Sequence, residues 1–113
     1  MRNNYLYWNI GKEVFENHNK KNNYHKYFSD YYSYYYGNSL KFSRENINFM
    51  ERFYLYFPIY LQKFDELSIK HFKILVSIKK NSKRYFYFWI IFFCKSSVEE
   101  LKELINNQCY ERI

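Results

Sequence analysis

The 113-residue sequence contains no alanine or threonine and only two glycines and one proline. Hairpin-rich β folds depend on repeated turns, and glycine and proline are the residues that most strongly mark such turns. The shortage therefore argues against a β fold, although tyrosine and phenylalanine favour strands intrinsically. Apolar residues recur at helical spacing over long windows, and this periodicity outweighs the propensity. We predict an all-α fold.

Cysteines and long apolar runs are also scarce. Cys94 and Cys109 are the two cysteines, and they lack the C-x-x-C spacing of metal and redox motifs, so we expect buried free thiols. The most apolar stretch, from Tyr85 to Phe93, is far shorter than the roughly 20 residues of a membrane-spanning helix. The N-terminus has no secretory signal pattern. We therefore expect a cytoplasmic protein with no membrane partner.

Catalytic motifs are missing as well. The three histidines show no H-E-x-x-H spacing, and there is neither a glycine-rich phosphate loop nor a G-x-S-x-G elbow. Glu100-Leu101-Lys102 matches the E-x-K end of a nuclease motif, but it falls in a predicted helix with no preceding strand that carries an aspartate. We interpret that match as chance. The sequence predicts no catalytic residue, no metal, no cofactor and no enzymatic activity.

What the sequence does contain is positive charge and aromatic rings. Its 18 Lys and Arg residues exceed its 11 Asp and Glu residues, which gives a net charge of +7, and there are 15 Tyr and 12 Phe residues. A net positive charge attracts polyanions such as nucleic acid, or an acidic protein. The rings must replace missing aliphatic volume, so a core of packed rings is expected.

Helical periodicity and capping residues indicate one domain, residues 1–113, built as a compact bundle of about six short helices. The predicted helices are Asn4–Asn17, Asn23–Tyr35, a third from the Ser43 cap to Phe57, a fourth capped by Ser68, a fifth over Lys83–Cys94 capped by Ser82, and a sixth opened by a Ser97–Glu100 capping box. The fifth is apolar nearly all round and is expected to be central. His71, three residues after Ser68, is interpreted as a structural hydrogen-bonding residue.

The second and third predicted helices have the outline of a helix-turn-helix. Gly37-Asn38 would end the first of them, and Pro58 would close the second. The turn of about six residues is longer than the 3–4 residues of the usual motif. The sequence therefore predicts a helix-turn-helix-like pair.

The polar side of the third predicted helix is the candidate binding site. Arg44, Asn48 and Arg52 follow one another at i, i+4 and i+8, and Lys41 precedes them in the turn. Arginine and asparagine recognise guanine and adenine edges, and arginine also binds phosphate. The flanking residues Glu45 and Glu51 would repel phosphate, and any solvated helix face is polar. DNA contact and plain solvation both remain open interpretations.

A second basic cluster precedes the fifth predicted helix. It comprises Lys79, Lys80, Lys83 and Arg84. Charged residues at the start of a helix are commonly there for solvation alone, so this cluster is the weaker candidate.

Ordered motifs along nearly the whole chain resemble the N-terminal domain of the YhcG family. They are Tyr7-Trp8-Asn9-Ile10-Gly11-Lys12, Phe42-Ser43-Arg44-Glu45-Asn46-Ile47 with Met50 and Phe53-Tyr54, Phe57-Pro58, Leu67-Ser68 with His71-Phe72, Arg84 with Phe86-Tyr87, Ser97-Val98 with Glu100-Leu101 and Ile105, and Tyr110-Glu111-Arg112. Three positions depart from the family pattern: Ile69 and Ser96 stand where it has tryptophan, and Glu99 stands where it has arginine.

The resemblance implies a helical domain that precedes a PD-(D/E)XK nuclease-like domain in full-length members. The helical part is the portion expected to engage nucleic acid or to assemble, and the catalytic carboxylates belong to the later domain. That later domain would begin where this sequence stops, at Ile113, so we expect it to be absent from this chain.

Two functions follow as hypotheses. The first is a non-catalytic DNA-binding or targeting module associated with the nuclease-like family, with Lys41, Arg44, Asn48 and Arg52 as contact residues. The alternative is a protein-interaction or dimerisation module that uses exposed aromatic rings, since we expect more rings than one core can bury. Its partner would be a nuclease domain or a second copy of the chain.

Overall fold

The computed structural model describes residues 4–17, 30–34 and 42–113, and within them helices are the regular structure. The elements are α1 (Asn4–Asn17), α2 (Arg44–Tyr56), a 3₁₀ helix (Gln62–Glu66), α3 (Ile69–Leu75), α4 (Asn81–Cys94) and α5 (Val98–Asn106). Residues 30–34 are also helical, and none of the described residues lies in a strand. The all-α prediction is confirmed.

The chain separates into two compact units, one of Tyr5–Tyr60 and the other of Met1–Asn4 with Leu61–Ile113. Each unit has its own apolar core. The core of the first contains Trp8, Ile10, Val14, Tyr32, Phe42, Ile47, Phe49, Met50, Phe53 and Phe57. The core of the second contains Phe64, Leu67, Phe72, Leu75, Val76, Ile78, Tyr87, Phe88, Ile91 and Leu101. A single domain over residues 1–113 stays a prediction.

In the first unit, α1 packs closely against α2. Its bounds are those predicted, and its apolar side is buried at Ile10 and Val14. Gly11 faces the backbone of Met50, and the space there is too small for a Cβ atom. The indole nitrogen of Trp8 donates a hydrogen bond to the carbonyl of Phe57 at 2.7 Å. Backbone contact and a buried hydrogen bond therefore fix α2 on α1.

Three of the predicted N-caps are confirmed. The hydroxyl oxygens of Ser43, Ser68 and Ser97 each accept from the backbone N–H three residues later, at the starts of α2, α3 and α5. α2 ends at Tyr56, one residue before the predicted end at Phe57. A serine cap satisfies an otherwise unpaired N–H at the helix start, which is why these short-range patterns locate the helices correctly.

His71 has the structural role that its spacing predicted. The backbone N–H of Ser68 donates to His71 Nδ1 at 3.1 Å. Because Nδ1 accepts this bond, Nε2 carries the proton and donates to the carbonyl of Ser96 at 2.9 Å. The buried ring therefore links the start of α3 to the segment before α5.

The start of α4 differs from the prediction. The helix begins at Asn81, with Lys80 as its N-cap and no capping side chain, so the expected Ser82 cap is wrong. The guanidinium of Arg84 donates to the side-chain oxygen of Asn81 and to the carbonyl of Ile78. The bond to Asn81 lies within the first turn of α4, and the Ser82 hydroxyl is instead 2.7 Å from the Tyr110 hydroxyl.

Two expectations about burial are also wrong. α4 is not central all round, because Trp89 and Phe93 are exposed. Cys94, the last residue of α4, is exposed, and Cys109 is half-buried in the turns that follow α5; both are free thiols. Apolar composition alone does not show which side of a helix its neighbours leave uncovered.

Most of the second predicted helix, together with Gly37-Asn38 and Lys41, lies outside the described residues. Only residues 30–34 of it can be compared, and they are helical. The helix-turn-helix-like geometry therefore stays a prediction. Across the described ranges, each helix is too short or too polar to cross a lipid bilayer.

Candidate nucleic-acid interface

The two sides of α2 differ sharply in polarity. Ile47, Met50 and Phe53 are completely buried on one side. On the opposite side Arg44 and Arg52 are exposed, and Asn48, between them, is partly exposed. The arrangement that the spacing indicated, with the apolar side in the core and both guanidinium groups toward solvent, is the one the structure has.

The three polar residues share one face of α2. At 1.5 Å per residue, Arg44 and Arg52 lie about 12 Å apart along the helix axis, with Asn48 midway. Four residues turn the helix by about 400°, so Asn48 and then Arg52 are each displaced by only about 40° around the axis from the preceding member of the set. The major groove of DNA is roughly 12 Å wide and admits an α-helix.

The acidic neighbours of this face are not equivalent. Glu45 is exposed beside Arg44, whereas Glu51 is only 9% exposed and belongs to the buried side of α2. Within the described ranges, neither Arg44 nor Arg52 forms an ion pair with a carboxylate. One of the two expected opposing charges is therefore withdrawn from the surface.

α2 is held in place by aromatic contacts as well as by Gly11. The ring of Tyr54 lies 5.4 Å from that of Trp8 and 5.7 Å from that of Phe15, measured between centroids. Such pairs add packing energy beyond the area that they bury. The exposed face of α2 is presented on a fixed element, which favours specific contact because less ordering is needed on binding.

The second basic cluster loses two of its four cations to structural roles. Arg84 is 1% exposed and donates to Ile78 and Asn81. Lys83 forms an ion pair with Glu111 at 2.9 Å. The hydrogen bond of this pair raises the pKa of Lys83 and lowers the pKa of Glu111, so each group favours the charged form of the other. The remaining pair, Lys79 and Lys80, is exposed.

Sequence reasoning missed an exposed aromatic surface on α4, which we call the α4 ring face. It comprises Trp89, Phe92 and Phe93, and the rings of Trp89 and Phe93 stack with centroids 5.6 Å apart. Trp89 is 37% exposed and Phe93 72%. The i, i+4 spacing of these two residues was visible in the sequence, but the apolar residues on every other side of α4 hid it.

A family comparison decides the relationship of this chain. The model described as the DUF1016 N-terminal domain matches residues 2–112. The chain belongs to the DUF1016 N-terminal domain family. This confirms the resemblance to the YhcG family N-terminal domain that the ordered motifs indicated. No curated protein and no solved structure matches the chain.

One polar cleft in this DUF1016 N-terminal domain contains residue types that are common in catalytic and metal-binding sites. It has a volume of about 500 Å³, lies in the second unit and is lined by Asp65, Glu66, His71 and Ser96, among others. Both ring nitrogens of His71 are bonded to backbone atoms, so the imidazole is not available as a base. The described part of the chain holds no group of three His, Cys, Asp or Glu residues placed to bind a metal.

Proposed function

We propose that this DUF1016 N-terminal domain is a non-catalytic DNA-binding module whose contact element is α2. The observation that supports the proposal most directly is the exposure of Arg44 and Arg52 on one face, with Asn48 between them. The apolar side opposite is fully buried, so this face is the one that α2 can offer to a partner.

Binding would begin with phosphates. The guanidinium groups of two residues about 12 Å apart along the helix axis would contact backbone phosphates bordering the major groove. Asn48 would then lie over the groove, where its amide can pair with an adenine edge. The preceding Lys41 would add a backbone contact. Phosphate contacts fix position, and the single amide allows only modest base preference.

The net charge of +7 supports the same partner. A protein of this sign is drawn toward a polyanion over long range, and its affinity falls steeply as salt rises because bound counterions are released. In a longer protein, such a module would bring a nuclease-like domain to DNA. That association is part of this proposal.

The proposal is tested with Arg44→Ala/Arg52→Ala and a mixed-sequence DNA duplex. Each phosphate contact contributes about 0.9 to the slope of log affinity against log salt, so the slope should fall by nearly two. At about 0.1 M salt the affinity should fall roughly 10- to 100-fold, as expected when the release of two counterions is lost. Fluorescence anisotropy over a salt series measures both quantities.

The matched control is Lys63→Ala/Lys95→Ala, which removes the same charge. Both lysines line clefts that also contain Asp65 and Glu66, so neither is a good phosphate ligand. Circular dichroism should show unchanged helicity in both variants. If the arginine variant binds no more weakly than the lysine variant, α2 is not the DNA-contacting element.

A second candidate function, self-association, is favoured by the α4 ring face. Two cations and two carboxylates border it: Lys63 Nζ lies 5.8 Å from the Phe92 ring centroid, and Lys95, Asp65 and Glu66 share the adjacent cleft with that ring. The border therefore carries no net charge. A two-fold dimer needs a surface patch that is complementary to itself. Two copies of a molecule with charge +7 repel each other, and the repulsion is weakest where the facing patches are neutral. The proposed occupant is a second copy of the chain.

Phe93→Glu tests this candidate, because a dimer formed through this face would have to bury one added carboxylate from each copy. Wild-type protein should show the mass of a dimer at high concentration, unaffected by salt, and the variant should show the mass of a monomer by light scattering after size exclusion. Ile59→Glu is the control, since Ile59 is 73% exposed and Phe93 72%. A monomeric wild type, or equal loss in both variants, would rule out dimerisation through this face.

A further inference from the structure

Leu55 is an apolar residue on the solvent-facing side of α2. Within α2, which the structure describes throughout, it is the one large apolar side chain that stays exposed, at 42%. Phe53 and Phe57, two residues away on either side, are buried in the core of the first unit. A single exposed leucine is ordinary on a protein surface, so its meaning depends on the residues that surround it.

Leu55 lies in line with the polar residues of the candidate interface. Seven residues separate it from Asn48, which corresponds to about 10 Å along the helix axis and a displacement of only about 20° around it. Arg52, about one turn before Leu55, is displaced by about 60° around the axis. Asn48 is partly exposed and Arg52 is exposed. An apolar side chain is therefore set among the amide and guanidinium groups of one helix face.

The packing of α2 fixes this orientation. On the opposite side, the ring of Phe53 stacks on that of Phe49 with centroids 5.7 Å apart, and it meets the ring of Phe57 edge-on at 6.1 Å. The backbone of Met50 lies directly against Gly11 of α1. A rotation of α2 that buried Leu55 would expose these rings and break that contact. Leu55 is therefore held on the same exposed face as Asn48.

A ligand for this face must offer an apolar group bordered by negative charge. DNA does so in its major groove, where phosphates border the bases and each A·T pair presents the C5 methyl group of thymine beside the adenine edge. Asparagine pairs with the adenine edge, and apolar side chains contact the thymine methyl group. Asn48 and Leu55 thus match two features of the same base pair, and Arg44 and Arg52 match the phosphates.

We infer that Leu55 contacts thymine methyl groups and gives the α2 face a preference for A·T base pairs. The inference rests on the proposed DNA-binding function and deepens it to the base pair that is recognised. Phosphate contacts by the arginines carry no sequence information. Leu55 would supply such information without adding charge, so its contribution leaves the salt dependence of binding unchanged.

The test compares two duplexes that differ only in methyl groups. One is rich in A·T pairs, and the other has the same sequence with uracil in place of every thymine. Burial of one methyl group corresponds to roughly a 3- to 4-fold change in affinity, so wild-type protein should bind the thymine duplex at least about 3-fold more tightly. The salt slope should be equal for both, because their phosphates are identical. Fluorescence anisotropy with the full chain measures both quantities.

Leu55→Ala removes most of the side chain and introduces a strong helix former. This variant should bind both duplexes equally, at about the affinity of wild type for the uracil duplex. Leu55→Met keeps an apolar side chain of similar size and should keep the preference for thymine. Leu61→Ala is the matched control and should also keep it, because Leu61 is 37% exposed and lies outside α2. Circular dichroism should show unchanged helicity in all three variants.

The outcomes separate the role of Leu55 from that of the arginines. A thymine preference that is lost in Leu55→Ala and kept in Leu61→Ala supports the inference. Wild-type protein that binds both duplexes equally, with a salt slope that depends on Arg44 and Arg52, overturns the inference and leaves the proposed function standing; this comparison needs no Leu55 variant. A preference that persists in Leu55→Ala, or is lost equally in Leu61→Ala, also overturns the inference. Wild-type protein that binds neither duplex at low salt overturns both.

Discussion

Gly11→Ala is expected to lower the free energy of unfolding by about 3 kcal/mol, near the upper end for added volume at a tightly packed site. A Cβ at this position would overlap the carbonyl group of Met50. A backbone carbonyl cannot rotate away as a side chain can, so α1 and α2 would have to move apart. The Trp8–Phe57 hydrogen bond and the ring contacts of Tyr54 would be strained by the same movement.

The direction of this effect makes it diagnostic. In the interior of an unconstrained helix, replacing glycine by alanine stabilises by roughly 0.5–1 kcal/mol. Asn9→Ala, at an exposed position of α1, is the matched control and should be neutral or stabilising. Urea unfolding followed by circular dichroism measures both variants. If Gly11→Ala is as stable as Asn9→Ala, the close approach of α1 to α2 is wrong, and so is the support that it gives to the α2 face.

Local patterns were sufficient to locate most of the helices. The bounds of α1 and the caps of α2, α3 and α5 were predicted because a cap and a periodic apolar side involve residues within one or two turns of each other. His71 belongs to the same class, since its bond to Ser68 spans three residues. Its second bond, to Ser96, spans 25 residues and had no signal in the sequence.

The features that could not be predicted are those decided by distant neighbours. The 3₁₀ helix Gln62–Glu66 was not predicted, and its Phe64 is buried against the rings of Phe72 and Phe88. The exposure of Phe93 depends on which side of α4 the other helices cover. Composition gives the total apolar surface of α4, but only tertiary packing decides which part of it stays uncovered.

The residues of the candidate interface could be predicted from their spacing alone, because positions i, i+4 and i+8 share one face of a helix. The structure adds that Glu51 is withdrawn from that face. The second basic cluster shows the opposite case. Arg84 follows three lysines and looks the same as they do in the sequence, yet its side chain is buried and donates to the carbonyl of Ile78 and to the side-chain oxygen of Asn81.

Arg84→Met is expected to lower the free energy of unfolding by about 3 kcal/mol. Methionine keeps much of the length of the side chain, so the loss comes mainly from hydrogen bonds. The carbonyl of Ile78 and the side-chain oxygen of Asn81 would lose a charged donor, and each such bond contributes roughly 1.5–3 kcal/mol. Arg84→Lys should recover only part of the loss, because one ammonium does not reproduce the planar guanidinium fork.

Lys79→Met is the matched control, and the pair of variants separates structure from binding. Lys79 is exposed, so its loss should leave the urea midpoint unchanged. Arg84 is 1% exposed and cannot reach phosphate, so Arg84→Met, studied where it remains folded, should keep the wild-type slope. An Arg84→Met protein that is as stable as wild type but binds DNA more weakly would mean that the guanidinium faces the ligand, and the assignment of Arg84 to the core would be wrong.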